Sequence, residues 1–353
     1  MYIMYMKISS NTFFMKLYKE LNDIIKKTSI DEKNIFIKNI DIKEISTYLD
    51  DNDFTSKNIQ KHIIDNLKYG YEITYLNNTI IYFSSKNFST VPKLIKHMIF
   101  IIVILKKLFK RDYSQKLIYF ETNKKKEFPR KNNVKITTLS PDNVNTAVTY
   151  VDLHKNGNII LYRKEEAIKV LIHELIHSNL IDEKLIFTNK NDEFTKLFCT
   201  NYKILLNEAF TETMACIINI FIIHIINNFK ISELDKMFVN EFNYSNYICS
   251  KIKTYYKIDK INHIIKKSGE DKECIDYFPQ QTNVFSYYFL KNILLKNHIL
   301  LGKLLKKYTY NYKIIDNICV SNIIKLLIKN IPDLDSRLKI IIDKNKSLKM
   351  SLS

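Results

Sequence analysis

Residues 165–180 carry an unbroken helical pattern, with Ala167, Val170, Leu171, Leu175 and Ile176 on one apolar stripe and no Pro or Gly to interrupt it. Such a helix must be buried. Yet it also contains His173-Glu174-Leu175-Ile176-His177, and burying two imidazoles and a carboxylate among aliphatic side chains is costly unless a metal or polar partners satisfy them. Any fold of this chain has to resolve that conflict.

The spacing suggests how. Side chains four apart share one face of a helix, so two imidazole nitrogens can converge on a zinc ion. Glu174, one residue on from His173, could then reach a zinc-bound water, take its proton as hydroxide attacks a carbonyl, and pass it to the leaving amine. An H-E-x-x-H string arises by chance in roughly one such sequence per hundred, so its helical context carries weight. Glu165 and Glu166 stand where a helix start favours negative charge.

A catalytic zinc site keeps three protein ligands and an open fourth position. The best candidate for the third ligand is Glu208, in Asn207-Glu208-Ala209-Phe210-Thr211-Glu212. Glu208 and Glu212 share a face of a helix that runs apolar through residue 226, an odd place for two carboxylates unless something positive faces them. Here the chain resembles the gluzincins, thermolysin-like zinc peptidases whose second helix carries N-E-x-x-x-D. The resemblance implies Glu208 as third ligand and Glu212, in place of the Asp, bonded to a ligand histidine. In the competing metzincin pattern, H-E-x-x-H-x-x-G-x-x-H, the Gly and last His positions are Leu180 and Glu183. A turn needing φ > 0 is one that Leu resists. The plain structural reading of Glu208 and Glu212 is a solvated helix edge.

Further strings, SPDNVN (140–145), LYRKEE (161–166) and TNVFSYYF (282–289), together with the two zinc segments, are similar to a family of zinc metallopeptidases from large DNA viruses. The likeness spans residues 117 to about 295. It implies a zincin-like fold, a viral origin and a proteolytic role on a protein or peptide substrate. Hydrolysis needs a hydrogen-bond donor for the developing oxyanion. Tyr287 and Tyr288 are preferred as catalytic candidates over His224 and His263 because TNVFSYYF belongs to the resemblance.

The expected fold class is therefore α+β: a small, mostly antiparallel sheet, then the metal helix and a second Glu-bearing helix, with helical additions. Residues 1–93 read as a mostly helical region, 94–230 as the catalytic core and 231–353 as a helical region packed on it. Within these, 11–27 and 94–109 read as helices. Residues 116–121, 134–139, 146–153 and 158–163 read as strands, with a hairpin turn at 154–157. In zincin-like folds the last strand before the metal helix is a sheet edge on which substrate lies, which would be residues 158–161. Helix breaks are expected near Gly269, Pro279 and Pro332.

The formal net charge is +18, ordinarily a hint of nucleic acid or an anionic surface. Arg occurs only at positions 111, 130, 163 and 337, however, whereas recognition of phosphate and bases tends to recruit Arg. The lysines read as mainly a solvated surface, with weak non-specific polyanion binding as a side effect. Five scattered cysteines without a C-x-x-C suggest no disulfide framework and a reducing cytoplasm, the host's if the chain is viral, with virion association open. The apolar runs 98–105 and 214–226 are too short or too interrupted for membrane spans. The alternative function is a non-catalytic viral structural or interaction protein that keeps the fold; an intact Glu174 argues against it, since a structural zinc needs no general base.

Overall fold

The computed structural model describes residues 6–49, 55–111, 114–129, 138–150, 158–186, 188–266, 277–306, 317–339 and 346–352. The fold is α+β, built on a six-stranded mixed sheet of order β1-β2-β3-β4-β6-β5. The strands are β1 (Ile35–Ile40), β2 (Tyr69–Tyr75), β3 (Asn78–Ser84), β4 (Lys116–Phe120), β5 (Ala147–Thr149) and β6 (Ile159–Leu161). β1, β2 and β3 form an antiparallel meander. β4 joins β3 in parallel and β6 joins β4 in parallel. β5 closes that side as an antiparallel edge strand.

Alternation along the strands divides the apolar residues between two cores. Tyr71, Ile73, Ile80, Tyr82, Leu117, Tyr119, Ile159 and Leu161 face the large core. Ile81, Phe83, Ile118, Phe120, Val148 and Ile160 face a smaller one, closed by Ile59 and Ile63 of the helix Lys57–Asn66. The β3-to-β4 crossover is the helix Lys93–Phe109, fully buried at Ile95, Ile102 and Leu105 and stopped by Lys110 at φ 53. Each such side chain contributes roughly 1.5–3 kcal/mol of apolar burial.

The region before residue 94 was expected to be mostly helical, but it supplies three strands of this sheet. The alternation at 71, 73, 75, 80 and 82 is carried partly by Tyr and punctuated by Glu72, Asn77 and Asn78, which masked it. The helix Thr12–Lys26 lies where expected, with Asn11 capping it by accepting from Phe13 N and Phe14 N. The break expected at Pro332 is absent, because Pro332 lies inside the helix Asn317–Arg337. It is solvent-exposed there, and the carbonyl it leaves without an N–H donor belongs to Ile328, itself 40% exposed. Residues 134–137 of the expected strand, the whole hairpin turn at 154–157 and Gly269 lie outside the described residues, while Leu139 forms only an isolated bridge with Gln280.

Two composition readings need correction. Cys199 is disulfide-bonded, while Cys216 and Cys249 are free and buried. Not all lysines are solvated: Lys126, Lys169 and Lys291 are each 1% exposed. One described helix, Leu206–Ile226, is long and apolar enough to cross a membrane by length and composition, but 83% of its apolar window is buried inside the protein.

Candidate metal centre

Two helices build the site. Ala167–Ser178 follows β6 and carries the H-E-x-x-H; it ends at Asn179, whose side chain donates to Leu175 O at 2.6 Å. Leu206–Ile226 packs against it and is buried on most of its circumference, at Thr211, Glu212, Cys216 and Phe221 among others. Its start is fixed by Leu206 N donating to Asn191 Oδ1 at 3.0 Å and Leu205 N donating to Ser286 Oγ at 3.1 Å.

At their crossing, His173, His177 and Glu208 converge as a group able to hold a metal ion. The two Nε2 atoms are 3.0 Å apart. Glu208 Oε2 lies 3.3 Å from His173 Nε2 and 3.5 Å from His177 Nε2. An ion bonded at about 2.0–2.1 Å and seen at tetrahedral angles separates its ligands by about 3.3–3.4 Å, so the three spacings bracket the edge of such a site. Glu208 Oε2 is also buried with no hydrogen-bond partner, an unmet acceptor of the kind a cation satisfies.

The far side of each imidazole is anchored. Glu212 Oε2 lies 2.9 Å from His173 Nδ1. Asp182 Oδ2 lies 2.7 Å from His177 Nδ1 and accepts from Thr211 Oγ1 at 3.2 Å. Carboxylates in these positions keep the proton on Nδ1 and turn the Nε2 lone pairs toward one point. Lys169 Nζ, 2.6 Å from Glu212 Oε1, balances the buried charge behind His173.

Electrostatics follow from this packing. Burial disfavours charge on His173, but the facing carboxylates of Glu208 and Glu212 outweigh it and leave its pKa above the ordinary imidazole value. Burial opposes charge on His177 too, and Asp182 and Glu208 raise it well above that value. Glu208 and Glu212 are held well below the usual carboxylate range despite burial, Glu208 by His177 and His173, Glu212 by Lys169 and His173.

Glu174 points to the sheet. Its Oε2 accepts from Thr149 Oγ1 of edge strand β5 at 2.6 Å. A small cavity of about 20 Å³ beside it is lined by Ala147, Val170, His173, Tyr287 and Met350, among others, enough for about one water.

Tyr287 and Tyr288 separate. Both lie in a π-helical stretch, Phe285–Leu290, and the ring of Tyr287 is 6.1 Å from that of His173. Burial, reinforced by Glu208 and Glu174, pushes its hydroxyl pKa well up, so it remains a donor. Tyr288 turns away and donates to Leu348 O at 2.7 Å; it is a packing residue here. His224 is at the far end of its helix, bonded to Tyr18 and to Lys230 O.

No family model, curated protein or solved structure matches this chain. The residues themselves carry the argument.

Some expectations about this region need revision. The edge strand is β5, while β6, expected at the edge, is internal between β4 and β5. Glu166 does not merely face the helix dipole: it takes φ 59 at the N-cap without capping and forms a buried ion pair with Lys126 at 3.1 Å. Leu180 does adopt the left-handed conformation, φ 54, yet this turn delivers Asp182 to Nδ1 of His177 and not to the metal-facing side. Asp182, Thr149 and Lys169 were not identified from sequence as partners of the motif.

Proposed function

We propose that this chain is a zinc-dependent peptidase of the gluzincin type on a zincin-like core. The observation that carries the proposal is that Glu174, next in sequence to His173 of the His173–His177–Glu208 group, shares a water-sized cavity with His173 and is tied to edge strand β5 by its 2.6 Å hydrogen bond from Thr149. A purely structural site would close its fourth position with a protein ligand and have no use for a poised carboxylate.

In this reading an extended peptide adds to the free edge of β5, main chain to main chain. His173, His177 and Glu208 would hold zinc. When bound, zinc supplies Lewis acidity at the open position and lowers the pKa of water there to about 7. Glu174 Oε2 takes the proton of the attacking water and delivers it to the leaving nitrogen. Tyr287 donates to the oxyanion as it forms. Asp182 and Glu212 hold the imidazoles in one tautomer throughout. The resemblance to viral metallopeptidases is consistent with this reading and names no substrate.

The test is cleavage profiling on a peptide library with zinc-replete protein, comparing the parent with Glu174→Gln. The parent is expected to cleave, and the variant to bind zinc equally while turnover drops by several orders of magnitude. A variant that cleaves like the parent removes the general-base role. A zinc-loaded parent that cleaves nothing favours the interaction-protein alternative.

A further inference from the structure

Residues 346–352 pass beside the metal centre, exposed at both ends and buried at Leu348, Met350 and Ser351, and buried charges hold their main chain. Lys346 O accepts from Phe128 N at 2.9 Å, and Leu348 N donates to Lys126 O at 2.8 Å. Lys251 Nζ donates to Ser347 O at 3.0 Å. The Glu166 carboxylate accepts from Met350 N at 3.1 Å and Ser351 N at 2.7 Å. Glu241 Oε2 accepts from Ser351 Oγ at 3.0 Å and Leu352 N at 2.9 Å, and Lys291 Nζ donates to Met350 O. Leu348 and Ser351 are fully buried. A segment held only by apolar packing would not need four buried ionic side chains, Glu166, Glu241, Lys251 and Lys291, directed at its backbone. Together these side chains line the path of one extended segment.

This path is connected to a metal ligand. Glu166, which holds Met350 and Ser351, also lies 4.0 Å from Lys169 Nζ. Lys169 Nζ is 2.6 Å from Glu212 Oε1, and the other oxygen of Glu212 is 2.9 Å from His173 Nδ1. While two backbone N–H groups occupy Glu166, Lys169 stays on Glu212. With the peptide withdrawn, Glu166 loses both N–H donors and keeps only Lys126 at 3.1 Å, so it draws Lys169 toward itself and loosens the support behind His173.

We propose that residues 346–352 are a peptide strap whose seating sets the metal affinity of the centre, with Glu166, Lys169 and Glu212 as positioning residues in the relay to His173. The ligand class of this path is an extended peptide offering two consecutive N–H groups to Glu166 and a carbonyl to Lys291. The inference rests on the metal centre and not on peptidase activity, so zinc affinity alone decides it.

The test uses the full chain carrying Leu348→Asp and Ser351→Pro. The first puts an unpartnered carboxylate into a fully buried position, and the second removes an N–H that Glu166 accepts. Zinc affinity, measured by chelator competition, is expected to fall about 10- to 100-fold, the usual effect of losing an outer partner of a ligand. A saturating synthetic peptide of residues 346–352 should restore it where a scrambled peptide does not. Lys169→Met should lower zinc affinity similarly whatever peptide is added, and Lys169→Arg should recover most of the loss. A folded strap variant that binds zinc like the parent, or one the peptide does not rescue, overturns the proposal. Should the strap variant not fold, the Lys169 pair decides: unchanged affinity in Lys169→Met overturns it.

Discussion

Glu212 approaches Nδ1 of His173 to 2.9 Å, and this contact from one helix to the next turns the imidazole so that its Nε2 faces Glu208 Oε2 at 3.3 Å. The same carboxylate is neutralised by Lys169 at 2.6 Å, so a charge buried at 1% exposure is both tolerated and aimed.

Replacing Glu212 with Gln keeps the volume but removes the charge-assisted bond. Zinc affinity should fall about 10- to 100-fold, and the buried Lys169 should lose its nearest anion and lower thermal stability. Chelator competition and a melting curve report the two effects. An unchanged affinity would show that Glu212 serves only the fold.

Asp182 offers a matching prediction for the other imidazole, and one that separates rival ligand sets. In the assignment made here Asp182→Asn weakens zinc binding moderately, about 10- to 100-fold, because Asp182 supports His177 from behind. Glu208→Ala should weaken it more, since it removes a ligand. The reverse order would favour Asp182 as the ligand.

Zinc binding should depend on pH in a defined direction. In metal-free protein both imidazoles have pKa values above the ordinary 6.5, so zinc must displace a proton, and affinity falls as pH drops through those raised values. Stability follows the signs of the shifts. Raised imidazole pKa values stabilise the metal-free fold fully below the unfolded value of 6.5, and that contribution is lost as pH rises through the folded values. Depressed Glu208 and Glu212 stabilise it above the unfolded 4.5 and lose the effect as pH falls. Melting temperatures with and without zinc should therefore separate as pH rises from 5 to 8, by mass action on the folded state. A gap that is constant over that range contradicts the linkage.

Tyr287 and Tyr288 are adjacent, yet their Phe variants should behave differently. Tyr287→Phe should leave zinc binding intact and lower kcat by about 10²- to 10³-fold, as loss of an oxyanion donor does. Tyr288→Phe should leave kcat unchanged and cost about 1–3 kcal/mol, since Leu348 O loses its donor in a buried setting. Steady-state kinetics and denaturant titration on the two variants distinguish the cases; equal kinetic effects would remove Tyr287 as the donor.

How much of this could be read from the chain depended on sequence distance. His173, Glu174 and His177, and likewise Glu208 and Glu212, are set four or fewer apart on continuous helices, so periodicity alone indicated which side chains share a face. Asp182 lies beyond the helix end and reaches His177 only because Leu180 accepts φ 54, a conformation its residue type argued against. Thr149 of β5 hydrogen-bonds Glu174 of the metal helix across 25 residues, and Lys169 meets Glu212 across 43. Nothing local marks such pairs. Lys126 was hidden in a run of lysines that reads as solvated, and the strand alternation of residues 69–84 was hidden by Tyr, Glu and Asn. The sheet edge was misplaced for a related reason: order along the chain does not reveal that β6 enters between β4 and β5.

The most direct test of the central claim is a crystal structure of the zinc-soaked protein, with the ion located by anomalous scattering at the zinc edge. One ion is expected, bonded to Nε2 of His173, Nε2 of His177 and a carboxylate oxygen of Glu208 at about 2.0–2.2 Å, with Glu212 and Asp182 still on the Nδ1 atoms and a non-protein fourth ligand on the side of Glu174. Zinc held by Asp182 or Glu183 in place of Glu208, a fourth protein ligand closing the site, or no anomalous peak between the two imidazoles would contradict the account.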